Sequence, residues 1–260
     1  MREIKVKLIL CLLLLSGAVL SQEKDSARTR HFIALRFGLN QIKEANLHPK
    51  VSTGTITELS YGFEKRKKHW QRFQLSFGYS RLKTSLEELS KSINLKMNIS
   101  YSYNFRLVKS RKFNYYLGPE ANLAYNACFL PNWDDSHLYW ADYLSVGARN
   151  IFSVSMKNKK EWVTEFSIPL FSIFSRPELY RLYKIDETDF EGIVHSLNSH
   201  ITAAHLTNVF FVHLQTEYRF PVFHSKTQAF SFSFDWLRVR HDDGNPFSQL
   251  SYQLGIKFIL

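Results

Sequence analysis

Apolar and polar residues alternate along most of this chain, and the alternation is clearest over residues 93–129. Residues 93–107 place an apolar or aromatic side chain at every second position, with polar side chains between them. After a polar run at residues 109–112, the alternation resumes from 113 to 127. A period of two indicates β-strands with two chemically different faces. Both strands exceed the usual length of about five or six residues and reach the roughly 9–11 residues that cross a bilayer.

The same alternation predicts about ten strands that follow one another along the chain. The connections after the even-numbered strands are short and rich in Lys or Arg, whereas several after the odd-numbered strands are longer and acidic. This arrangement predicts an all-β fold, an antiparallel up-and-down transmembrane β-barrel of about ten strands, with about eight to twelve as the compatible range. Pro169 indicates a strand end, a bulge or a weakly paired site. The predicted strands cover residues 31–40, 53–63, 70–80, 93–107, 113–129, 143–156, 161–171, 204–220, 229–240 and 249–260.

The last strand resembles a known class of sequence. Residues 252–260 alternate up to Phe258 and Leu260, which share one face. This segment resembles the C-terminal strand that outer-membrane β-barrel proteins of Gram-negative bacteria present to their assembly machinery, although the usual last residue is aromatic. The resemblance implies an outer-membrane protein that contacts lipids and lipopolysaccharide, with short periplasmic turns and longer extracellular loops. The class has many functions, so function must be argued from a site.

The N-terminus has the form of a secretory signal peptide. Arg2, Lys5 and Lys7 precede an apolar run at residues 8–15, and small residues follow up to Ser21. This run is too short for a spanning helix, so we expect cleavage after Ser21. The predicted domains are therefore a signal peptide at 1–21, a short periplasmic lead at 22–30 and one barrel at 31–260. Cys128 is then the single cysteine of the mature chain, which allows no internal disulfide.

Composition leaves two other classes to consider. A formal net charge of +11 invites a nucleic-acid partner, but we expect none, because the chain is predicted to be exported and its basic residues cluster at turns. A soluble β-sandwich or a lipocalin-like barrel would bury the apolar face of each strand instead of exposing it. The length of the strands, their aromatic ends and the last strand favour the membrane barrel over that alternative.

A barrel of about ten strands has a narrow lumen that is mostly filled by side chains. Charged residues of both signs fall on the predicted inner face, where isolated charges could not be buried without partners. We expect either a paired network that plugs the lumen or a narrow solute path or pocket lined by the same groups. The predicted network comprises Lys96, Arg106, Glu120, Arg149, Glu165, His213, Glu217, Arg219 and Asp235.

The longest connection, residues 172–203, is predicted to fold over the outer mouth as a recognition lid. It is long and rich in apolar residues, and a helix start at Thr188 precedes an apolar stripe from Phe190 to Ile201. Aromatic rings beside cationic groups suit a sugar, a lipid headgroup or a partner protein. The predicted ligand-binding residues are Trp133, Trp140, Tyr180, Arg181, Tyr183 and Lys184.

A membrane-embedded hydrolase of the lipase or protease type is the alternative function. Histidines such as His205 and His213 lie near serines and acids in sequence, but the chain has no GxSxG elbow. Such chemistry needs a nucleophile, a base and an orienting acid brought together. We therefore expect a binding, accessory or narrow-channel protein without a cofactor or a resident metal. A metal site at Asp134, Asp135 and His137 is a weaker possibility.

Overall fold

The computed structural model describes residues 29–44, 50–85, 91–130, 137–176, 183–184, 201–204, 208–222, 226–240 and 246–260. These residues are almost entirely β-strand, with one 3-10 turn at Lys157–Lys159. None of the helices within these ranges is long and apolar enough to cross a membrane. The strands are β1 (Thr29–Glu44), β2 (Ser52–Arg66), β3 (His69–Lys83), β4 (Ser92–Lys109), β5 (Phe113–Leu130), β6 (His137–Trp140), β7 (Asp142–Ser155), β8 (Glu161–Ser175), β9 (Tyr183–Lys184), β10 (Ile201–Ala204), β11 (Val209–Pro221), β12 (Thr227–Val239) and β13 (Phe247–Ile259).

Ten of these strands close into an antiparallel barrel, which confirms the predicted fold class. Each long strand pairs with the next long strand along the chain, and β13 returns to pair with β1. That closing seam runs from Phe32 opposite Ile259 to Glu44 opposite Phe247. Both ends of the barrel domain therefore lie at the end of the short turns, which the rule for outer-membrane barrels places in the periplasm.

Three short strands extend the wall beyond the opposite, outer end. β6 pairs with the end of β5, β9 pairs with β6, and β10 pairs with the end of β8. The sequence did not predict β6 or β9. It also ended the seventh strand at residue 171, whereas β8 continues to Ser175. The register between β7 and β8 shifts beside Pro169, so the bulge is the alternative that the structure supports.

The two faces of the wall have the polarity of a membrane barrel rather than that of a soluble protein. Large apolar side chains are exposed on the outer face, including Phe77 at 52% and Leu254 at 68%. Small polar side chains such as Ser60 and Asn104 are wholly buried on the inner face. The residues that the alternation assigns to the lipid side are all exposed or half-buried, and none is buried. They are Phe73, Phe77, Ile99, Phe105, Leu123, Val146, Phe166, Phe210, Phe232 and Leu254.

Two glycines lie on opposite strands of the closing seam, Gly38 opposite Gln253 and Gly255 opposite Arg36, where the strands approach too closely for a side chain. A Cβ atom at Gly38 would lie 1.7 Å from the carbonyl oxygen of Tyr252, and one at Gly255 would lie 2.5 Å from that of Leu35. Tight curvature of a sheet is achieved at such glycine positions. These residues allow a narrow barrel to close at this seam.

The described connections at the periplasmic end are short and basic, as the sequence predicts. Residues 67–68 join β2 to β3, residues 110–112 join β4 to β5, and a turn with left-handed Asn158 and Lys159 joins β7 to β8. The signal peptide, most of the lead and residues 188–200 of the predicted helix lie outside the described residues. Ile201, the last residue of the predicted helical stripe, begins strand β10 instead.

Placing a charge on the lipid face should destabilise the barrel. Phe77→Arg puts a guanidinium near the middle of β3, and we expect a loss of about 2–4 kcal/mol in the free energy of unfolding, because the charge must enter hydrocarbon. Ser155→Arg, at the end of β7, is the control and should cost about 0–1 kcal/mol. Denaturant titration in lipid vesicles measures both. Equal stability of the two variants would contradict the assignment of this face to lipid.

Candidate functional site

The lumen is the candidate site, because it collects nearly all of the polar chemistry of the barrel. Inner-face residues change in character along each strand from the periplasmic to the outer end. On β1 the sequence runs from Arg36 through Asn40 to Ile42, and on β13 it runs from Lys257 through Gln249 to Phe247. The lumen therefore has three zones, which we call the charged zone, the amide ring and the apolar plug.

In the charged zone, arginines meet glutamates both from neighbouring strands and from across the lumen. Arg36 donates to Glu58 at 2.6 Å and to Gln215 at 3.1 Å. Arg72 forms an ion pair with Glu165, and Arg149 pairs with Glu120 at 2.6 Å. All of these side chains are buried. Buried charges are tolerated when they are paired and hydrogen-bonded in this way.

Glu217 on β11 is the centre of the charged zone. Its carboxylate accepts a hydrogen bond from Lys257 at 2.9 Å and ion-pairs with Arg219 at 2.6 Å and with Arg72 at 3.6 Å. Arg219 also donates two hydrogen bonds to Glu64, at 2.9 and 3.0 Å. Bidentate pairs of this kind are the stronger class of charged hydrogen bond. One connected network thus joins β2, β3, β11 and β13.

Charges in the lumen balance within the part of the chain that the structure describes. Eight Lys or Arg side chains and eight carboxylates take part in ion pairs, and His213 is the additional titratable partner. The cations are Arg36, Arg66, Arg72, Lys96, Arg149, Arg176, Arg219 and Lys257, and the anions are Glu44, Glu58, Glu64, Glu120, Glu161, Glu165, Glu217 and Asp235.

At the periplasmic end, the charged zone borders a cavity of about 220 Å³ lined by Arg30, Glu64, Arg66, Glu161 and Arg219. Arg66 pairs with Glu161 and also donates to Ser153 at 2.8 Å, and Arg219 binds Glu64. The guanidinium groups of Arg66 and Arg219 are therefore occupied by protein partners. Every residue that lines this cavity is charged, which is the composition of a vestibule that water fills.

Above the charged zone, four amides form a closed ring across the lumen. Gln249 donates to Asn40 at 3.0 Å, Asn40 to Asn94 at 3.2 Å, Asn94 to Asn126 at 2.5 Å, and Asn126 to Gln249 at 2.5 Å. Each amide donates to the next in the same direction around the ring. Hydrogen bonds that run in one direction polarise and strengthen one another. The ring links β1, β4, β5 and β13.

The outer part of the lumen is an apolar plug. Tyr139 stacks on Phe247 with ring centroids 5.9 Å apart, and Tyr143 lies 5.8 Å from Phe211. Arg176 crosses the plug to Glu44, donating at 2.7 Å. The buried members of the plug are Ile42, Leu82, Ala124, Cys128, Tyr139, Ala141, Tyr143, Phe174, Ala204, Val209, Phe211, Leu237, Val239 and Phe247.

A histidine and an acid lie just beneath the amide ring. Nδ1 of His213 is 2.6 Å from Asp235, which also pairs with Lys96 at 3.2 Å and accepts from Ser251 at 3.3 Å. A cavity of about 10 Å³ lies beside this group and is partly lined by Tyr143. Such a space holds about one water molecule. The serine hydroxyl is directed at the acid rather than at the histidine, so this arrangement lacks the nucleophile–base contact of a hydrolase.

The structure brings most of the predicted lumen residues together. Glu120, Arg149, Glu165, Glu217 and Arg219 belong to the charged zone, and Lys96, His213 and Asp235 form the group beneath the amide ring. Arg106 does not join them. It lies at the bulge between β4 and β5 and donates to the carbonyl of Lys67 at 3.5 Å, beside the periplasmic turn.

The predicted ligand-binding residues at the outer mouth separate into different environments. Trp140 is wholly buried, and its indole N–H donates to Ser175 at 3.2 Å, so its ring packs inside the wall instead of facing a ligand. Tyr183 and Lys184 form β9 and pair with β6. Trp133, Tyr180 and Arg181 lie outside the described residues, as do Asp134 and Asp135 of the weaker metal hypothesis.

Several members of the network were not predicted, namely Arg36, Glu58, Glu64, Arg72, Lys257 and the four amides. Their position on the inner face is visible in the sequence, because each shares the parity of buried neighbours. Glu64 was assigned to a turn, since the predicted second strand ended at residue 63, three residues before the end of β2. Counting inward-facing polar residues strand by strand would have found the others.

The fold and the lumen together define an integral outer-membrane β-barrel protein, with an apolar belt outside and a polar, charge-balanced interior. No protein-family model matches the sequence, and no curated protein matches it.

Several solved structures resemble this chain. The outer membrane protease OmpT from Escherichia coli has a TM-score of 0.52 at 6% identity, covering 89% of this chain and 96% of that chain. The translocator domain of the autotransporter NalP from Neisseria meningitidis has a TM-score of 0.44 at 6% identity, over 99% and 97% of the two chains. The transport unit of the autotransporter AIDA-I from Escherichia coli gives 0.39 at 10% identity, over 92% of each. At 6% identity, the likeness to OmpT shows the fold alone and carries over no activity.

Removing the central carboxylate should be more harmful than removing the carboxylate together with a cation. Glu217→Gln leaves a positive charge uncompensated, and we expect it to cost about 3–5 kcal/mol in the free energy of unfolding. The double variant Glu217→Gln/Lys257→Met restores the charge balance and should cost less than the single one. Denaturant titration of the refolded barrel measures both, with the exposed Lys160→Gln as the control. Additive losses in the double variant would argue against a compensated network.

Proposed function

We propose that this chain is an outer-membrane binding protein with a closed lumen, which presents its outer connections to a solute or a partner protein. The filled lumen is the observation that carries the proposal. Charged zone, amide ring and apolar plug succeed one another, and the space beneath the ring has room for about one water molecule. Barrels that conduct solutes freely have about sixteen or more strands and leave an aqueous channel.

The outer wall supports a role for the connection at residues 172–203. Its first residues complete β8, and Ile201–Ala204 pair back onto the same strand as β10. Between them, Tyr183–Lys184 pair with β6, which is attached to the end of β5. Because β7 lies between β5 and β8, the described parts of this connection lie on both sides of the start of β7. Attachment at two separate places on the outer wall supports a lid over the mouth.

The lid carries aromatic and cationic residues, and these indicate which classes of ligand it could bind. Tyr180, Arg181, Tyr183 and Lys184 lie close together in sequence, and Trp133 belongs to the neighbouring connection. Aromatic faces beside cations suit the hydroxyls and apolar faces of a sugar, a lipid headgroup or an aromatic-rich protein surface. We propose that these residues form the ligand-binding part of the lid. Trp140 contributes from below by holding Ser175 at the end of β8.

A hydrolase is the second candidate, and the hydrogen bond between His213 and Asp235 is the observation in its favour. Both residues lie inside the barrel beneath the amide ring, where a lipid or a peptide would have to displace the apolar plug. OmpT, a protease of similar fold, does not transfer its activity at 6% identity. The binding role therefore accounts for more of the described structure.

The closed lumen predicts an absence of conductance. The purified chain in a planar bilayer should show no steady ion current, because the plug and the amide ring fill the lumen. Replacing residues 185–200 with a short Gly-Ser linker should leave the barrel inserted, heat-resistant and still silent. A large porin in the same bilayer is the positive control. Steady current through the linker variant would show that the lid, rather than the plug and the amide ring, closes the barrel.

The lid itself can be tested on intact cells. A photoreactive amino acid at Tyr183 should form adducts with a surface glycan or protein, whereas the same residue at Lys109 in a periplasmic turn should not. The adducts should disappear when residues 185–200 are replaced. Adducts of equal yield at both positions, or none at Tyr183, would count against a recognition lid.

The hydrolase candidate makes a separate prediction. We expect His213→Asn to leave the hydrolysis of model esters, phospholipids and peptides at the level of the unaltered chain, because His213 contacts Asp235 and has no serine partner among the described residues. Loss of a measurable activity in this variant, with an intact barrel, would establish the hydrolase instead.

A further inference from the structure

Four cations lie on the outward face of the wall near its outer end. They are Lys43 on β1, Arg81 and Lys83 on β3, and Arg238 on β12, and all four are exposed. Arg238 and Lys43 are both register partners of Ser248 on β13. Neighbouring strands are about 4.8 Å apart, so these two backbones are separated by about 10 Å on the same level of the sheet.

The two β3 cations continue this patch around the barrel. Lys83 lies opposite Thr53 on β2, and Arg81 lies opposite Thr55. Both threonines are exposed, so hydroxyl groups lie between the cations. Arg81 is fixed further by donating to the hydroxyl of Tyr79 at 2.7 Å. We call the set of Lys43, Arg81, Lys83 and Arg238 the outer basic patch.

No described carboxylate neutralises this patch. Among the residues that the structure describes at the outer end, the acids are Glu44 and Asp142, and both are buried. Glu44 faces inward to Arg176. The outer basic patch therefore presents four positive charges and several hydroxyls directly above the apolar belt, which is the chemistry that binds phosphate groups.

An apolar groove lies below the patch on the same side of the barrel. It is a shallow, open depression with a volume of about 750 Å³, and it runs over β12, β13 and β1. The backbones of Gly38 and Gly255 contribute to its lining, and the walls are formed by Leu35, Phe37, Leu39, Phe230, Leu254, Ile256 and Phe258.

The groove and the patch are close enough for one molecule to occupy both. Leu39, at the upper end of the groove, is in register with Thr55 and through it with Arg81 two strands away, a separation of about 10 Å. Lys43 is four residues beyond Leu39, or about 13 Å along the strand. A phosphate group on the patch would thus lie within the length of an acyl chain from the groove.

We propose that the outer basic patch and the groove form one binding site for the phosphorylated, multi-acylated anchor of lipopolysaccharide, its lipid A. Phosphate groups contact Lys43, Arg81, Lys83 and Arg238, and an acyl chain lies in the groove along β13. The number of separated cations favours a ligand with more than one phosphate over a phospholipid with a single phosphate. The site is on the lipid-facing wall, so it is independent of the lid and of the closed lumen.

A binding experiment with the refolded mature barrel in neutral detergent tests the site. The probes are deep-rough lipopolysaccharide, the same lipopolysaccharide after removal of its phosphates, and phosphatidylglycerol, each measured by native mass spectrometry. We expect lipopolysaccharide to bind at least tenfold more tightly than either of the other two. Binding should persist in EDTA, because the protein supplies the cations that divalent ions otherwise provide.

Substitutions then locate the site. The quadruple variant Lys43→Gln/Arg81→Gln/Lys83→Gln/Arg238→Gln should weaken lipopolysaccharide binding at least tenfold. The control Lys109→Gln/Arg111→Gln/Lys112→Gln/Lys160→Gln removes the same charge from the periplasmic end and should change binding less than twofold. Leu254→Trp, which fills the groove without altering charge, should also weaken binding. Heat-modified migration in a denaturing gel confirms that each variant is folded.

Three results would overturn the proposal. The first is unchanged binding in both the quadruple variant and Leu254→Trp, and the second is an equal loss in the periplasmic control. The third is equal affinity for phosphatidylglycerol, which would reduce the patch to a general surface for anionic lipids.

Discussion

Closure of the sheet is the constraint on which everything else in this barrel depends. Hydrocarbon offers no partners to backbone N–H and C=O groups, so an open edge cannot remain in the membrane. The pairing of β1 with β13 removes the last edge, from Phe32 to Glu44 on one strand. It also requires small residues on both strands, since a Cβ atom at Gly38 or Gly255 would clash with the opposite backbone. The interior, with its zones, exists only once this seam has formed.

The order of the zones follows from what each end of the lumen meets. Charged side chains lie towards the periplasm, where Arg66 and Glu161 remain partly exposed and water can reach them. The apolar plug lies towards the outside and excludes water from the amides below it. The amide ring lies between them because amides can satisfy one another without net charge. The lumen thus contains a charge-compensated polar core at its periplasmic end and an ordinary apolar core at its outer end.

How much of this was predictable from the sequence depends on whether a feature is local. Alternation assigned a face to residues such as Phe77 and Glu165, because parity is a property of neighbouring positions. Partners are not local, and nothing in the sequence indicates that Asn40 meets Gln249 or that Glu217 meets Lys257. Trp140 was expected at the mouth because it lay in a predicted loop, but β6 carries it into the wall. Arg106 was expected in the lumen, but the bulge before Val108 leaves it at the turn.

The partners in the lumen are far apart along the chain. Arg36 and Gln215 are separated by 179 residues, Arg219 and Glu64 by 155, and Arg176 and Glu44 by 132. A half-formed sheet would therefore carry arginines and glutamates whose partners had not arrived, and water would have to solvate them until the seam closed. The inner face of an insertion intermediate must therefore stay hydrated. Folding of this barrel is expected to end in one cooperative step, in which edge pairing, dehydration and charge compensation are completed together.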